Sequence, residues 1–470
     1  MMTKKLTTAF VAASILAIHT NAQRKANQKK PNIIFIVADD LGYGNLTSYN
    51  ATSKIPTPNI DRIGKEGIKF IQFYSGSTVC APSRCALMTG KTMGHAYIRG
   101  NSAEPIREQD TTMAQRLQWN GYTTGMFGKW GLGEENTAGS PERKGFDEFY
   151  GYLNQTHAHD YFTNHLFELK NRQIEEVKVD SLHQYAEDLI IGHALDFVQD
   201  NKDKPFFLYL PLTIPHAELR VPDSLLKPFL NTDGTSKFEP ETPFAGHNRY
   251  DPQPKPHATF AAMITKLDSD VGRVLDLVKK LGLDDNTYVF FTSDNGPHKE
   301  GGGDPEFWDS NGPLRGIKRD LYEGGIRVPL LVKAPGKIPA GKTSNVAWAF
   351  WDVLPTIAQI TNTPSPSNID GISFVNALQG KRQKQHKYLY WGFNEGGLKE
   401  ALIKDNWKLI RFKSKGTAER VELYNLNNDI GEKNDLASTN VAKVKELKAL
   451  LAKAKTQSEN KKFDWSNEEL

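Results

Sequence analysis

The chain has 470 residues, 38% of them apolar, and its 59 basic and 55 acidic side chains intermix to a formal net charge of +4. That length holds one large α/β domain or a large domain with a smaller companion. The balanced charge excludes the basic face of a nucleic-acid binder, and the lysine-rich stretches at residues 24–30 and 443–462 read as solvated tails.

The chain opens on "MMTKKLTTAFVAASILAIHTNAQ", with lysines first, then a short apolar run, then small residues ending at Ala22. This is the layout of a cleaved signal peptide over residues 1–22. The run is too short to span a bilayer, and nothing later approaches ~20 uninterrupted apolar residues. A soluble protein in the periplasm or secreted is therefore expected, and free thiols in such a place call for an explanation.

From residue 31 onward, short apolar runs alternate with helical patterns. "NIIFIVADD", "YTTGMFGKW", "PFFLYLPLTIPH", "YVFFTSDNG" and "RVPLLVKAP" read as buried strands. Helices are expected over about 182–200 and about 258–281, the latter from the three- and four-residue spacing of Met263, Leu267, Val271, Val274 and Val278. This order predicts an α/β fold, a mostly parallel sheet flanked by helices. After the loop "TNTPSPSNIDG", the runs "YLYWGF", "EALIKDNWKLIRF" and "VELYNL" predict a smaller antiparallel sheet, followed by a helix over about 439–455. The division expected is a main domain at 31–385 and a C-terminal subdomain at 386–470. No internal repeat is evident.

The strand runs end in chemically active tails: Asp39 and Asp40, Lys129, His216, then Asp294 with Asn295. Ligands of open α/β sheets bind beyond the carboxyl ends of strands, so these tails should converge. Each tail alone is also an ordinary Asp/Asn/Gly turn. Together, Asp39, Asp40, Asp294 and Asn295 offer hard oxygen ligands suited to Ca²⁺ or Mg²⁺, with Ca²⁺ favoured because its larger coordination number leaves room for further ligands. Arg84, Lys129, Lys318 and His216 around such an ion would hold an anionic ester. Both cysteines lie in "CAPSRCALMTG". Either Cys80 and Cys85 close a small disulfide loop, or one of them is raw material for a catalytic group.

"CAPSRCALMTG" resembles the signature of the type I, formylglycine-dependent sulfatases, at every one of its fixed positions. "PNIIFIVADDLGYG" before it, and "FGKWGLG", "LTIPHAE", "FTSDNGPH", "LRGIKRDLYEGGIRVP", "KDNWKLI" and "ELYNLNND" after it, stand in the family's order. The similarity covers about residues 31–454 and points to bacterial arylsulfatase and N-acetylgalactosamine-6-sulfatase-like members with an alkaline-phosphatase-like fold. It implies that Cys80 is oxidised by a formylglycine-generating maturase to an aldehyde (3-oxoalanine), whose hydrate is nucleophile and metal ligand, and that Cys85 stays unpaired. It further implies Ca²⁺ on Asp39, Asp40, Asp294 and Asn295, and catalytic roles for Arg84, Lys129, His216 and Lys318. The expected activity is sulfate-ester hydrolysis on a sulfated carbohydrate.

One position departs from the family: Gly131 in "GKWGLG" stands where many members have histidine. His157 and His159 in "NQTHAHDYF" and His298 after "SDNG" are candidate replacements. Lys91, His95 and Arg99, which follow the signature helix, and His247 and Arg249, in the irregular stretch 220–256, are further candidates for the cavity rim. Asn45, where aspartate is frequent, is read as minor, and Glu323 with Arg327 as a structural pair. Trp119, Trp130, Trp391 and Trp407 are read as core residues rather than sugar platforms. Two rival functions remain: a sulfated-glycan binding protein with an impaired site, motivated by Gly131, and a phosphatase or phosphodiesterase of the wider superfamily, which the lack of His-rich zinc ligands disfavours.

Overall fold

A computed structural model describes residues 29–247 and 249–464; the expected leader, residues 1–22, lies outside the described residues. The central strand β1 (Asn32–Ala38) is buried throughout and shows why the sheet is sandwiched. Successive side chains of a strand point to opposite faces. Accordingly Ile33, Phe35 and Val37 enter one hydrophobic core, while Ile34, Ile36 and Ala38 enter a second on the other face.

The remaining strands of the main sheet are β2 (Ile68–Tyr74), β3 (Thr123–Lys129), β4 (Glu148–Tyr152), β5 (His165–Lys170), β6 (Gln173–Lys178), β7 (Phe206–Pro211), β8 (Thr287–Ser293), β9 (Arg327–Lys333), β10 (Lys342–Ser344) and β11 (Trp348–Ala349). The order is β10-β2-β9-β8-β1-β7-β3-β4-β5-β6, with β11 also on β2. The stretch from β8 to β4 is parallel, and β9 runs antiparallel to both neighbours. The sheet is thus mostly parallel at its centre, as expected. Several strands were not foreseen, among them β2 and the polar hairpin β5–β6, whose mostly half-buried or exposed residues carry no long apolar run.

Helices α1 (Pro58–Lys65), α4 (Ala186–Asp200) and α5 (Pro256–Lys280) cover the second core. Met263, Leu267, Val271, Val274 and Val278 of α5 all point into it, as their spacing predicts. Helices α2 (Cys80–Thr89), α3 (Met113–Trp119) and α6 (Val353–Ile360) cover the first core. Among the described residues no helix is long and apolar enough to cross a membrane.

The C-terminal region is a four-stranded antiparallel sheet, β12 (Leu389–Asn394), β13 (Leu398–Lys404), β14 (Trp407–Lys413) and β15 (Arg420–Asn425), followed by α7 (Val441–Leu451). Trp391 docks it: the ring packs 5.2 Å from Tyr74 and 5.4 Å from Trp351, and its Nε1 donates to the Ser75 carbonyl at 2.9 Å. Trp130 is also core, donating to the Gly139 carbonyl, and Trp407 is half-buried. Trp119 corrects the sequence reading. As the last residue of the short α3 it is 64% exposed, and Arg116, one turn earlier, lies over its ring at 5.5 Å.

Candidate active site

Four neighbouring parallel strands deliver the site. Residues just past β1 carry Asp39 and Asp40, β3 ends at Lys129, the loop five residues beyond β7 carries His216, and β8 is followed by Asp294 and Asn295. Because β2 is antiparallel to β9 and β9 to β8, β2 points the same way as the parallel strands and delivers α2 to that edge. All ten residues of α2 are buried. Cys80 opens it and Arg84 follows one turn later on the same face. Asn101, which sequence reasoning missed, accepts from Ala81 N at 3.1 Å and holds the helix start. At the other end Gly90, at φ 70°, closes the helix in the left-handed conformation glycine tolerates.

The sequence-predicted centre converges. Cys80 Sγ lies 3.2 Å from Asp39 Oδ1. Asp39 Oδ2 accepts from Lys129 Nζ at 2.7 Å and pairs with Arg84 Nη2 at 3.3 Å. Asp294 Oδ2 accepts from Arg84 Nε and Nη2 at 3.1 and 2.8 Å. Asp40 Oδ2 accepts from Lys318 Nζ at 2.8 Å. Asp40 itself adopts φ 61°, an uncommon conformation that aspartate tolerates better than most residues. Three buried carboxylates therefore face three buried cations.

Burial would raise the Asp39 carboxyl, but Lys129, Arg84 and Lys318 outweigh it and hold it well below the usual range. Burial and then Asp39 push Asp294 up to about 6. Burial, Asp294 and Asp39 push the Cys80 thiol well above its usual value, so an unmodified Cys80 carries no thiolate at neutral pH. Both cysteines are free, and Cys85 is a core residue whose thiol burial pushes up to about 12.

The donors also fit a hard cation. Asp39, Asp40, Cys80 and His216 bring ligand atoms within 4.8 Å of one another. His216 Nε2, however, is taken up by Lys318 Nζ at 2.8 Å. The informative atom is Asn295 Oδ1: it is buried without a hydrogen-bond partner, while its Nδ2 donates to Asp40 Oδ1 at 2.5 Å. An orphaned buried acceptor is costly, and here it sits among carboxylates, the oxygen environment a Ca²⁺-type ion requires.

Three imidazoles stack in a row. His216 lies between His159, at 4.3 Å and 11°, and His298, at 5.2 Å and 23°. Burial, then Lys318, holds His216 well below the ordinary imidazole value, so the ring is neutral, with Nδ1 donating to the Ala217 carbonyl and Nε2 accepting from Lys318. Burial likewise keeps His159 neutral.

A cavity of about 1020 Å³ opens over the centre, with Cys80, His159, His216 and Lys318 in its wall and His247 and Arg249 at its rim. Other expectations need correction. His157 does not line it: Nε2 bonds Thr163 Oγ1 at 2.8 Å and the ring stacks on His165. His157 and His159 share a 3₁₀ turn, where residues two apart point in different directions. His298 is buried behind His216, its Nδ1 accepting from Glu300 N at 3.0 Å. Arg99 is buried too; its guanidinium donates to the carbonyls of Ala96 and Thr456, fastening the C-terminal segment. His95 pairs with Asp370 at 2.8 Å and Lys91 lies 3.9 Å from Asp110, both away from the cavity lining. Asn45 bonds Gly42 N and Ser310 Oγ, and Glu323 pairs with Arg327 at 3.1 Å, both in structural roles.

At Gly131 the answer is Gln155, a residue inside the "NQTHAHDYF" run that the histidines overshadowed. Gly131 adopts φ 77°, and a Cβ there would lie 1.9 Å from Gln155 Nε2. The carboxamide thus fills the space a side chain would need, on the cavity wall.

Comparison with known proteins agrees with this geometry. The sulfatase family profile matches residues 31–363, and a profile described as N-sulphoglucosamine sulphohydrolase, C-terminal, matches residues 317–461. The N-acetylgalactosamine-6-O-sulfatase of Bacteroides thetaiotaomicron is 29% identical over 511 aligned residues, covering 92% of this chain and 94% of that protein. The human N-acetylgalactosamine-6-sulfatase is 31% identical over 388 residues, covering 77% and 68%. The crystal structure of Ps i-CgsB in complex with k-i-k-neocarrahexaose superposes with a TM-score of 0.74 at 28% identity, covering 94% of each chain. The chain belongs to the sulfatase family and is a sulfuric ester hydrolase.

Proposed function

We propose that the protein hydrolyses a sulfate ester on a sugar, through a formylglycine made from Cys80 and a Ca²⁺ held by Asp39, Asp40, Asp294 and Asn295. The observation that carries this reading is the placement of Cys80 against Asp39, beside the unpartnered Asn295 Oδ1. A neutral thiol is a poor nucleophile there, whereas an aldehyde hydrate supplies one hydroxyl to attack sulfur and a second to release sulfate; the ion would lower the pKa of the attacking hydroxyl and offset sulfate charge.

The chain's own residues do the rest. Asp294 is placed to take up the proton of the attacking group, its Oδ2 gripped by Arg84. Arg84 and Lys129 hold Asp39 in place and, with Lys318, offset the negative charge of the ester. The leaving alcohol needs a proton, and the Lys318–His216 pair supplies it: in the resting arrangement the proton rests on Lys318, bonded to the neutral His216 Nε2. The neutral His159 stacks on His216, and Gln155 fills the space at 131 on the wall of the same cavity.

The substrate favoured is a sulfated monosaccharide or a sulfated glycan, in keeping with the names of the relatives. The same reading assigns residues 1–22 to a signal peptide, the mature protein to the periplasm or the exterior, 31–385 and 386–470 to catalytic and C-terminal parts, and Cys80 to a formylglycine-generating maturase.

The test is sulfate release from a panel of sulfated sugars by protein matured in a host with that machinery. Turnover by wild type, loss by at least about 10³-fold in Cys80→Ala, and loss on chelation restored by Ca²⁺ are expected. Equal behaviour of wild type and Cys80→Ala would overturn the enzyme reading and favour a binding protein; activity indifferent to chelator would remove the metal.

A further inference from the structure

We infer that Glu300 is a specificity-determining residue, which restricts the reacting sugar to one whose scissile sulfate has a hydroxyl, and no second anionic group, beside it. This rests on the sulfate-ester reading above.

Glu300 Oε2 lies 3.6 Å from Lys318 Nζ and 3.7 Å from His216 Nε2, the pair that faces the leaving oxygen. It lies in the cavity wall with about a quarter of its side chain exposed, 24%. The carboxylate is fixed from the other side: Tyr250 OH donates to Oε2 at 3.0 Å and Arg319 Nη1 pairs with Oε1 at 2.5 Å. Burial would neutralise it, but Lys318 and Arg319 hold its pKa well below the carboxylate range, so it stays ionised. Adjacent oxygens on a sugar ring are within a hydrogen-bond length of each other. A group that reaches Lys318 with its ester oxygen therefore presents its neighbouring substituent to Glu300. A hydroxyl there donates to the carboxylate; a second sulfate or a carboxylate meets a like charge in a partly desolvated wall.

The rest of the cavity points the same way. Its rim cations are already engaged: Lys462 with Glu104 at 2.6 Å, Arg319 also with Glu395 at 2.9 Å, and Lys299 with Glu306 at 2.8 Å. Arg249 donates to the Thr156 hydroxyl at 3.3 Å. A densely sulfated chain would have to compete with Glu104, Glu395 and Glu306 for the first three of these cations, while Arg249, held by a neutral hydroxyl, stays open to an anion at the rim.

The experiment first identifies, with the matured full-length enzyme, which of a panel of monosulfated hexoses and N-acetylhexosamines is hydrolysed. Hydrolysis of none refutes the sulfatase reading and this inference with it. For the sugar that is hydrolysed, kcat/KM is compared with that of the same sugar carrying a second sulfate on a neighbouring position. Wild type should prefer the monosulfate by about tenfold or more, Glu300→Gln should shrink that preference by about tenfold, and Glu300→Asp, which keeps the charge, should retain it. A wild-type preference below threefold, or a preference unchanged in Glu300→Gln, overturns the assignment. If Glu300→Gln does not fold, the wild-type ratio and its reduction at high salt decide: a ratio insensitive to salt overturns it.

Discussion

At the strand ends, Asp39, Asp40 and Asp294 face Arg84, Lys129 and Lys318; at the seam with the C-terminal sheet, Glu323 and Glu432 face Arg327 and Lys408. Both clusters are buried and similarly charged. At the seam, Lys408 Nζ bridges Glu323 and Glu432 at 2.9 Å each, Tyr74 OH donates to Glu323 at 3.0 Å, and Glu323 N donates to Glu432 at 2.6 Å. Arg327 spends its remaining donors on the Ile71 carbonyl. Those groups close on one another and line no cavity described here. Glu432 Oε1 at the seam lacks a hydrogen bond as Asn295 Oδ1 does, but the strand-end cluster opens into the cavity through Cys80, His216 and Lys318. Buried charge, even beside an unspent acceptor, therefore does not mark a reactive centre by itself; buried charge that opens into a cavity does.

Substitutions at the seam should sharpen this contrast. Lys408→Met leaves Glu432 buried without its cation, so stability measured by denaturant should fall by about 3–5 kcal/mol, while kcat of the folded fraction persists. Loss of kcat with stability intact would place the seam in the chemistry.

Glu187 is a third buried carboxyl, held by the amide and hydroxyl of Thr213 on the loop leading to His216. Burial pushes it up to about 7 from an ordinary 4.5. The folded state therefore binds this proton more tightly than the unfolded chain. Its contribution is present in full below about pH 4.5 and is lost as pH rises through about 7, a change of about 3 kcal/mol. Glu187→Gln should flatten that part of a stability-versus-pH curve; an unaltered curve would show that the carboxyl titrates normally. At the exposed end of α3, where Trp119 meets Arg116 at the surface, Trp119→Ser should shift stability by less than about 0.5 kcal/mol in a thermal melt, and a larger loss would return Trp119 to the core.

The legibility of the molecule differed between these regions for physical reasons. The strand tails could be read because a buried parallel strand must be apolar until it leaves the sheet, so its first polar residues stand out. That logic found Asp39, Lys129, Asp294 and Asn295, and the signature run found Cys80 and Arg84. It could not find β5 and β6, whose sequence "HLFELKNRQIEEVK" is polar because the hairpin lies at the sheet edge. It also favoured histidines in "NQTHAHDYF" by residue type, whereas the turn geometry sends His157 outward and the missing side chain at Gly131 admits Gln155. Glu300 and Asn101 were equally silent, since neither lies in a recognisable pattern.

The sequence by itself determined the α/β alternation, the smaller C-terminal sheet, the family and the residues at the centre, because periodicity and motif spacing are local properties of the chain. Only the tertiary structure decided which polar groups pair and which are left over: the stack of three imidazoles, the unpartnered Asn295 oxygen, the capture of Arg99 by Thr456 and the carboxylate of Glu300 beside Lys318. Those relations join residues distant in the chain, and they exist only once the strands have brought their ends to one edge.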